Sequence, residues 1–425
     1  MQSYVVVGAV AAGATWAVTW LVRCLAPRAG MVVAPDERRV HNQPLTTAGG
    51  IAMFVAFLAA MAVAWRLPAL HELFDGTSEP LGVVLGAAII FAVGLLDDVR
   101  DMSAPAKVAG QVLGASVMAI NGVQMLYFRV PFWNTVVLSS DIGFLLTIIW
   151  VVLVTNAVNL IDGLDGLAAG VVGIAGLAFF AYSTRQVHVG LLLGTNLGPL
   201  MAVIVVGVCI GFLPHNFHPA RIIMGDAGAL FIGLLLAVST LEVGGRTGDD
   251  FSGQTFFFFA PIAIPFIILG VPLLDTAFAV VRRVSRRSGW SVADKEHLHH
   301  RLMRLGHGHR RAVLILWMWT GVLASLVLLP LKVSSTNALV LPGVLALAVL
   351  LFTVFRPEMR RSAVVAAAEA EDAVVAATRA ADTVDVAESV LGHPDVPPGS
   401  DHRNGHRARR HALRRRREAE AVADP

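Results

Sequence analysis

Carboxylates crowd three short stretches of an otherwise apolar chain. Asp97, Asp98 and Asp101 lie in LLDDVRD, Asp162 and Asp165 follow Asn156 and Asn159 in TNAVNLIDGLDGL, and Asp226 lies in PARIIMGDAGAL. Each stretch ends a long apolar run, where a carboxylate costs roughly 2.5 to 3.5 kcal/mol on insertion scales and is usually kept for function. Oxygen donors without cysteine suit magnesium, which takes one or two protein carboxylates and leaves its other positions to water and substrate phosphates. Mn²⁺ is the alternative ion for such an oxygen set. Two basic stretches offer phosphate contacts: Arg38, Arg39 and His41 in RRVHNQPLTTAGG, and His297, His299, His300 and Arg301 in DKEHLHHRLMRLG. Arginine binds phosphate as a bidentate fork. Metal and cations together would stabilise charge on a pyrophosphate during displacement.

Plainer roles compete for several of these residues. Asp101 or Ser103, just before Pro105, can cap a helix. The Asp162-Gly163 and Asp165-Gly166 dipeptides form turns, and Asp226 can cap the helix it precedes, a role compatible with metal binding. Three histidines also suggest a transition-metal site, although their spacing supplies no tetrahedral set. Asp275 sits inside an apolar block and can pair with Arg282 or Arg283 about two turns away. The chain has no Gly-Lys dipeptide, HExxH or GxSxG, so Walker A, zincin and serine-hydrolase chemistry drop out.

The elements that must carry these residues are membrane helices. Of 425 residues, 56% are hydrophobic and 15% charged, with mean hydropathy +0.69, whereas soluble domains carry about 25% charge. Apolar blocks of spanning length predict eleven helices near 4–25, 48–65, 81–96, 106–125, 142–160, 164–182, 191–213, 227–243, 256–281, 312–331 and 337–355. The fold class is therefore an all-α polytopic integral membrane protein. Only three residues separate the fifth and sixth spans, so that boundary could be mis-split. Cys24 and Cys209 both lie in apolar blocks and form no disulfide framework. No charged segment precedes the first block, which is read as a span and not as a cleaved signal.

Loops after odd-numbered spans carry 14 Lys and Arg, those after even-numbered spans 5. The positive-inside rule then places the N-terminus outside and the C-terminus in the cytoplasm. All five polar stretches fall after odd-numbered spans, so they face one side and can build one cytoplasmic-face site in a transferase domain of residues 1–355. Residues 356–425 hold 12 basic and 12 acidic residues and few large apolar ones, the composition of a mostly disordered tail. The eight arginines from Arg403 to Arg417 suit solvent or anionic lipid, not nucleic acid.

In this order and between spans, the stretches RRVHNQPLTTAGG, GLLDDVRDMSAPAK, NAVNLIDGLDGLAAG, NFHPARIIMGDAGAL and DKEHLHHRLMRLG resemble the polyprenyl-phosphate N-acetylhexosamine-1-phosphate transferase superfamily. The resemblance covers about residues 1–355. It implies that a lipid phosphate attacks the β-phosphate of a UDP-sugar, giving a lipid-linked diphosphate sugar and UMP, with Mg²⁺. By the resemblance, Asp97 and Asp98 match the catalytic aspartate pair, one of them a base toward the lipid phosphate. Asp226 matches a metal ligand, and Asn159, Asp162 and Asp165 fall in the motif near nucleotide and metal, with Asp162 both catalytic and metal-binding. His297, His299 and His300 match a histidine loop over the diphosphate and sugar, beside substrate-binding Arg38, His41 and Arg301. Direct attack is favoured over a covalent aspartyl intermediate. Ile223 replaces a frequent Phe, and Ala229 a frequent Ser.

The HLHHRL form of the histidine loop resembles the N-acetylglucosamine-1-phosphate branch, and the muramoyl-pentapeptide branch usually shows an HHHFE-like loop. The expected reaction transfers N-acetylglucosamine 1-phosphate from UDP-N-acetylglucosamine to polyprenyl phosphate in a bacterial inner membrane. Expected partners are the UDP-sugar, the polyprenyl phosphate and membrane lipids, with a homodimer admissible. The rivals are the muramoyl-pentapeptide or another UDP-hexosamine branch and, more distantly, a cation- or proton-coupled transporter, whose ionisable residues would lie near the bilayer midplane.

Overall fold

The computed structural model describes residues 1–26, 28, 32–33, 45–129, 135–190, 192–244, 308–332 and 340–353. Helices dominate. In chain order they are α1 (Gln2–Leu25), α2 (Gly49–Arg66), the short α3 (Glu72–Asp75), α4 (Glu79–Arg100), α5 (Ala104–Ile120), α6 (Ser140–Ile161), α7 (Leu167–His188), α8 (Gly198–Asn216), α9 (Gly225–Gly244), α10 (His309–Lys332) and α11 (Val340–Thr353). Seven of these, α1, α2, α4, α6, α7, α8 and α9, are long and apolar enough to cross a bilayer. The protein is a polytopic membrane protein. Ten of the eleven predicted spans fall on these helices, and the predicted span 256–281 lies outside the described residues.

Boundaries moved where backbone geometry overrides apolar composition. The fourth span was expected to run to residue 125, but α5 ends at Ile120. Gly122 takes φ +105°, a region open to glycine because it has no Cβ. The chain then enters β3 (Tyr127–Arg129), which pairs antiparallel with β4 (Thr135–Val137). A second ribbon pairs β1 (Val32–Val33) with β2 (Leu45–Thr46). Neither ribbon was anticipated, since strands of two or three residues leave no alternating pattern. The seventh span was expected from residue 191, yet α8 starts at Gly198, where Asn196 Oδ1 accepts the Gly198 N–H at 2.8 Å and Pro199 opens the first turn. Helices α6 and α7 are separate, divided by residues 162–166.

Helix α9 is the axis of the bundle. It is apolar around its whole circumference, the pattern of a helix with no solvent face, and nearly every residue from Ala227 to Val243 is buried. Helices α2, α4, α6, α7 and α8 pack around it. Helix α1 lies outside against α2 and α8 and leaves Trp16 and Trp20 exposed, as a helix with one lipid face does. Around α9, Phe54 and Phe57 each meet Phe231 edge to face, and Phe54 lies flat on Phe91 at 4.5 Å.

Helix α4 comes closest to the axis at Gly94, where a Cβ would sit 2.5 Å from the Ala227 Cα and 2.6 Å from the Asp226 carbonyl oxygen. That contact sets how near α4 brings Asp97 and Asp98 to α9. Gly94→Val forces the two helices apart, and overpacking of this kind costs about 1–3 kcal/mol. The expected outcome is a melting temperature several degrees lower in detergent, read by intrinsic fluorescence. An unchanged melt would mean that α4 and α9 are not in contact there.

Candidate active site

The clustered polar residues meet where α9 begins. Gly225, at φ +68°, turns the chain into α9, and a Cβ there would lie 2.5 Å from Asp98 Oδ2. Asp98 Oδ1 accepts the Asp226 N–H at 2.8 Å and Oδ2 accepts the Ala227 N–H at 3.0 Å. Its carboxylate thus caps a helix from another segment, satisfying first-turn donors and facing the positive end of the helix dipole. On the opposite side, Gly49 N–H and Gly50 N–H donate to the Ile223 and Met224 carbonyls, and Ile223 N–H donates to Thr46 O. The MGD turn is held on both flanks.

Asp97 points elsewhere. Its Oδ1 accepts the Met102 N–H at 2.7 Å and its Oδ2 accepts Lys107 Nζ at 3.0 Å. Lys107, in the first turn of α5, also ion-pairs with Asp226 Oδ2. With its amide turned to satisfy both neighbours, Asn159 donates Nδ2 to Asp226 Oδ1 at 3.2 Å and accepts Lys107 Nζ on Oδ1 at 3.0 Å. Oxygens from α4, α6 and α9 therefore surround one cationic position, occupied by an ammonium. Asp101, one of the capping candidates, is instead the left-handed C-cap of α4 at φ +46°, while Ser103 holds the N-cap position of α5.

Asp162 follows the last turn of α6, its N–H donating to Asn159 O at 3.2 Å. Among the described residues its carboxylate has no hydrogen-bond partner. Burial pushes its pKa up to about 7, and the charges of Asp98 and then Asp165 add to the rise. Asp165 is more deeply placed. Its Oδ2 accepts His218 Nδ1 at 2.7 Å and the Ala220 N–H at 3.0 Å, and its own N–H donates to His309 Nε2 at 2.9 Å. The rings of His218 and His309 stack at 4.2 Å, and Arg310 Nε donates to His218 O at 3.0 Å. Asn216 adds a second tie, accepting the Gly166 N–H and donating to Ile222 O.

Asp165, His218 and His309 could in principle ligate a metal. His309 Nε2, however, spends its lone pair on the Asp165 N–H, so this trio reads as a clamp between the 162–166 turn, the 217–224 loop and the start of α10. The oxygen-only cage of Asp97, Asp226 and Asn159, with Asp162 near Asp98, suits a hard cation better.

The structure thus joins Asp97, Asp98, Asn159 and Asp226 directly, brings Asp162 within electrostatic reach and sets Asp165 in the adjoining clamp. Arg38, His41, His297, His299, His300 and Arg301 lie outside the described residues. Sequence reasoning missed Lys107, His218 and His309. Lys107 was placed inside a predicted span, yet it is one of only three lysines in the chain, a signal in itself.

Comparison with known proteins follows the same residues. The family model described as glycosyl transferase family 4 matches residues 80–244, the stretch from α4 to α9 that carries this cluster. The decaprenyl-phosphate N-acetylglucosaminephosphotransferase of Mycobacterium tuberculosis is 39% identical over 76% of this chain and 81% of its own length. The chain belongs to glycosyl transferase family 4. Two further relatives in Bacillus subtilis and Desulforudis audaxviator are a probable undecaprenyl-phosphate N-acetylglucosaminyl 1-phosphate transferase, 37% identical over 71% of this chain and 77% of its own, and a phospho-N-acetylmuramoyl-pentapeptide-transferase, 34% identical over 72% and 90%.

For this family 4 chain the raised pKa of Asp162 has a thermodynamic consequence. A carboxyl whose folded pKa, about 7, exceeds its unfolded value binds its proton more tightly when folded. Stability then falls as pH rises from the unfolded pKa through the folded one, and is flat on either side. In metal-free detergent solution, Asp162→Asn should melt several degrees above wild type at about pH 8 and match it at about pH 4. A constant offset across that range would remove Asp162 as the source.

Proposed function

We propose that the protein transfers N-acetylglucosamine 1-phosphate from UDP-N-acetylglucosamine to a polyprenyl phosphate, releasing UMP. The observation that carries the proposal is the cage of Asp97, Asp226 and Asn159 oxygens around one cationic position at the helix ends, in a chain 39% identical to a decaprenyl-phosphate N-acetylglucosaminephosphotransferase. A lipid phosphate oxygen attacks the β-phosphorus of the donor, and the bond from that phosphorus to the bridging oxygen of UMP breaks. Both substrates are anionic at the reacting atoms, so the site must supply positive charge.

Asp226, Asp162 and Asn159 are proposed to hold a divalent ion, Mg²⁺ by choice of ligand type. When bound, it neutralises charge on the diphosphate. Lys107 shares Asp97 and Asp226 with that position and is a second source of positive charge once substrate enters. Of the aspartate pair, Asp98 spends both oxygens on the backbone of α9, whereas Asp97 spends one on the Met102 N–H and turns the other to the Lys107 ammonium. Asp97 is therefore the base toward the lipid phosphate, and Asp98 holds Asp226 in place. Asp165 contributes to substrate binding by fixing the 217–224 loop through His218 and Ala220. His297, His299, His300 and Arg301, with Arg38 and His41, are assigned to phosphate oxygens from their types, and the histidines to the diphosphate and sugar from the resemblance of their loop to the family's.

Arginine and lysine distribution, 14 against 5, supports a site on the cytoplasmic face, an N-terminus outside and a C-terminus inside the inner membrane. Residues 356–425 are proposed as a separate charged tail.

The test is UMP release by purified protein with polyprenyl phosphate and Mg²⁺. UDP-N-acetylglucosamine should serve as donor where UDP-N-acetylgalactosamine and UDP-muramoyl-pentapeptide do not. Asp97→Asn, Asp226→Asn and Lys107→Met should each lower kcat by about 100-fold or more, the scale of losing one preorganised electrostatic group, while inserting and purifying normally. Full activity in Asp226→Asn would falsify the site, and release with the muramoyl donor would move the protein to that branch.

A further inference from the structure

Lys107 and Asn159 meet on Asp226, but they ride on different helices, and α5 needs something to fix its register against α6. One turn deeper on each helix stands an amide. Gln111, fully buried, is four residues after Lys107, and Asn156 is three residues before Asn159, so each amide lies on the same helical face as the site residue above it. The two amides pair reciprocally. Asn156 Nδ2 donates to Gln111 Oε1 at 2.5 Å and Gln111 Nε2 donates to Asn156 Oδ1 at 3.4 Å, while Asn156 Nδ2 also donates to Val152 O at 2.7 Å. Among the described residues, this pair and the Lys107–Asn159 bond one turn above it are the hydrogen-bonded links between α5 and α6.

We propose that the Gln111–Asn156 pair is a positioning strut that sets Lys107 and Asn159 against Asp226, so that both amides are needed for turnover although neither touches substrate. The proposal rests on the transferase reading for its kinetic test. A paired amide has direction as well as attraction. Sliding or rotating α5 along α6 breaks two bonds at once in a medium that offers no water to replace them. Apolar residues at the same positions would hold the helices together and leave their register loose. The ammonium of Lys107 must meet three oxygens simultaneously, so a shift on the order of 1 Å is enough to lower the rate substantially.

The experiment is a double-mutant cycle in the full-length protein. Gln111→Met and Asn156→Leu keep volume and lose the amides. Each single variant should lower kcat for UMP release by about 10- to 100-fold with KM for the UDP-sugar changed less than about threefold, because the strut sets geometry and not donor affinity. The double variant should be no slower than the slower single variant. Multiplicative losses would mean that the two amides act separately and would overturn the proposal, as would near-normal kcat in either single variant. The swap Gln111→Asn with Asn156→Gln restores a pair and should recover part of the rate, which separates lost pairing from misfolding if a single variant inserts poorly.

A second readout needs no activity. Acylation of Lys107 by an amine-reactive reagent, measured by mass spectrometry against Lys332 as reference, should speed up when the strut is removed, because the ammonium leaves its three oxygens. Global loosening would raise both lysines together. If wild-type protein releases no UMP, the transferase reading fails, and the labelling still decides the strut: an unchanged Lys107 to Lys332 ratio in the variants overturns it.

Discussion

The carboxylate of Asp98 on the first N–H groups of α9 is the interaction on which the site depends. A helix that starts inside a bundle leaves donors that no intrahelical acceptor can satisfy, and in an apolar setting each is expensive. Asp98 settles two of them and places a negative charge against the positive helix end. Asp226, the next residue into that helix, is thereby held with its side chain toward Lys107 and Asn159. Without the cap, the turn at Gly225 is held only from the Thr46–Gly50 side, and the central ligand of the cage loses the contact that fixes the start of its helix.

From this anchor the other elements follow as constraints on distance. Gly94 lets α4 approach closely enough for adjacent aspartates to do different work: one faces the backbone of α9, the other the ammonium of α5. The Asp165–His218–His309 clamp plays the corresponding part on the far flank, tying the turn after α6 to the loop before α9 and to the start of α10. Burial first, and the nearby charges of Asp98 and Asp165 after it, are why the proton on Asp162 is retained so far above the ordinary carboxylate range.

Much of the architecture was legible in the sequence because hydrocarbon thickness dictates how long an apolar run must be. The sidedness argument gathered Asp97, Asp98, Asn159, Asp162 and Asp226 before any coordinates; in the structure hydrogen bonds link Asp98 and Asn159 to Asp226, Lys107 links Asp97 to it, and Asp162 lies within electrostatic reach. Three kinds of information were not legible. The boundary that put Lys107 inside a span hid its charge, because a long aliphatic stem can sit at the membrane edge with its ammonium turned to the site. The division of labour between Asp97 and Asp98 depends on which face of α4 each occupies relative to α9, and adjacent residues in one sequence carry no record of the partner helix. Finally, His218 and His309 are 91 positions apart, and each alone looks like an ordinary polar residue at a helix end.

The enclosure of α9 by five other helices bears on how the protein is made. Membrane helices leave the insertion machinery in chain order, and this one has no lipid-facing surface in the finished bundle. Its five neighbours, α2, α4, α6, α7 and α8, all precede it in the chain. They can insert first and leave a vacant slot, which α9 fills on arrival, carrying Asp226 with it. A chain interrupted before residue 225 therefore contains most of the hydrophobic mass of the fold and no site, so completion of the bundle and the onset of chemistry coincide in a single docking event.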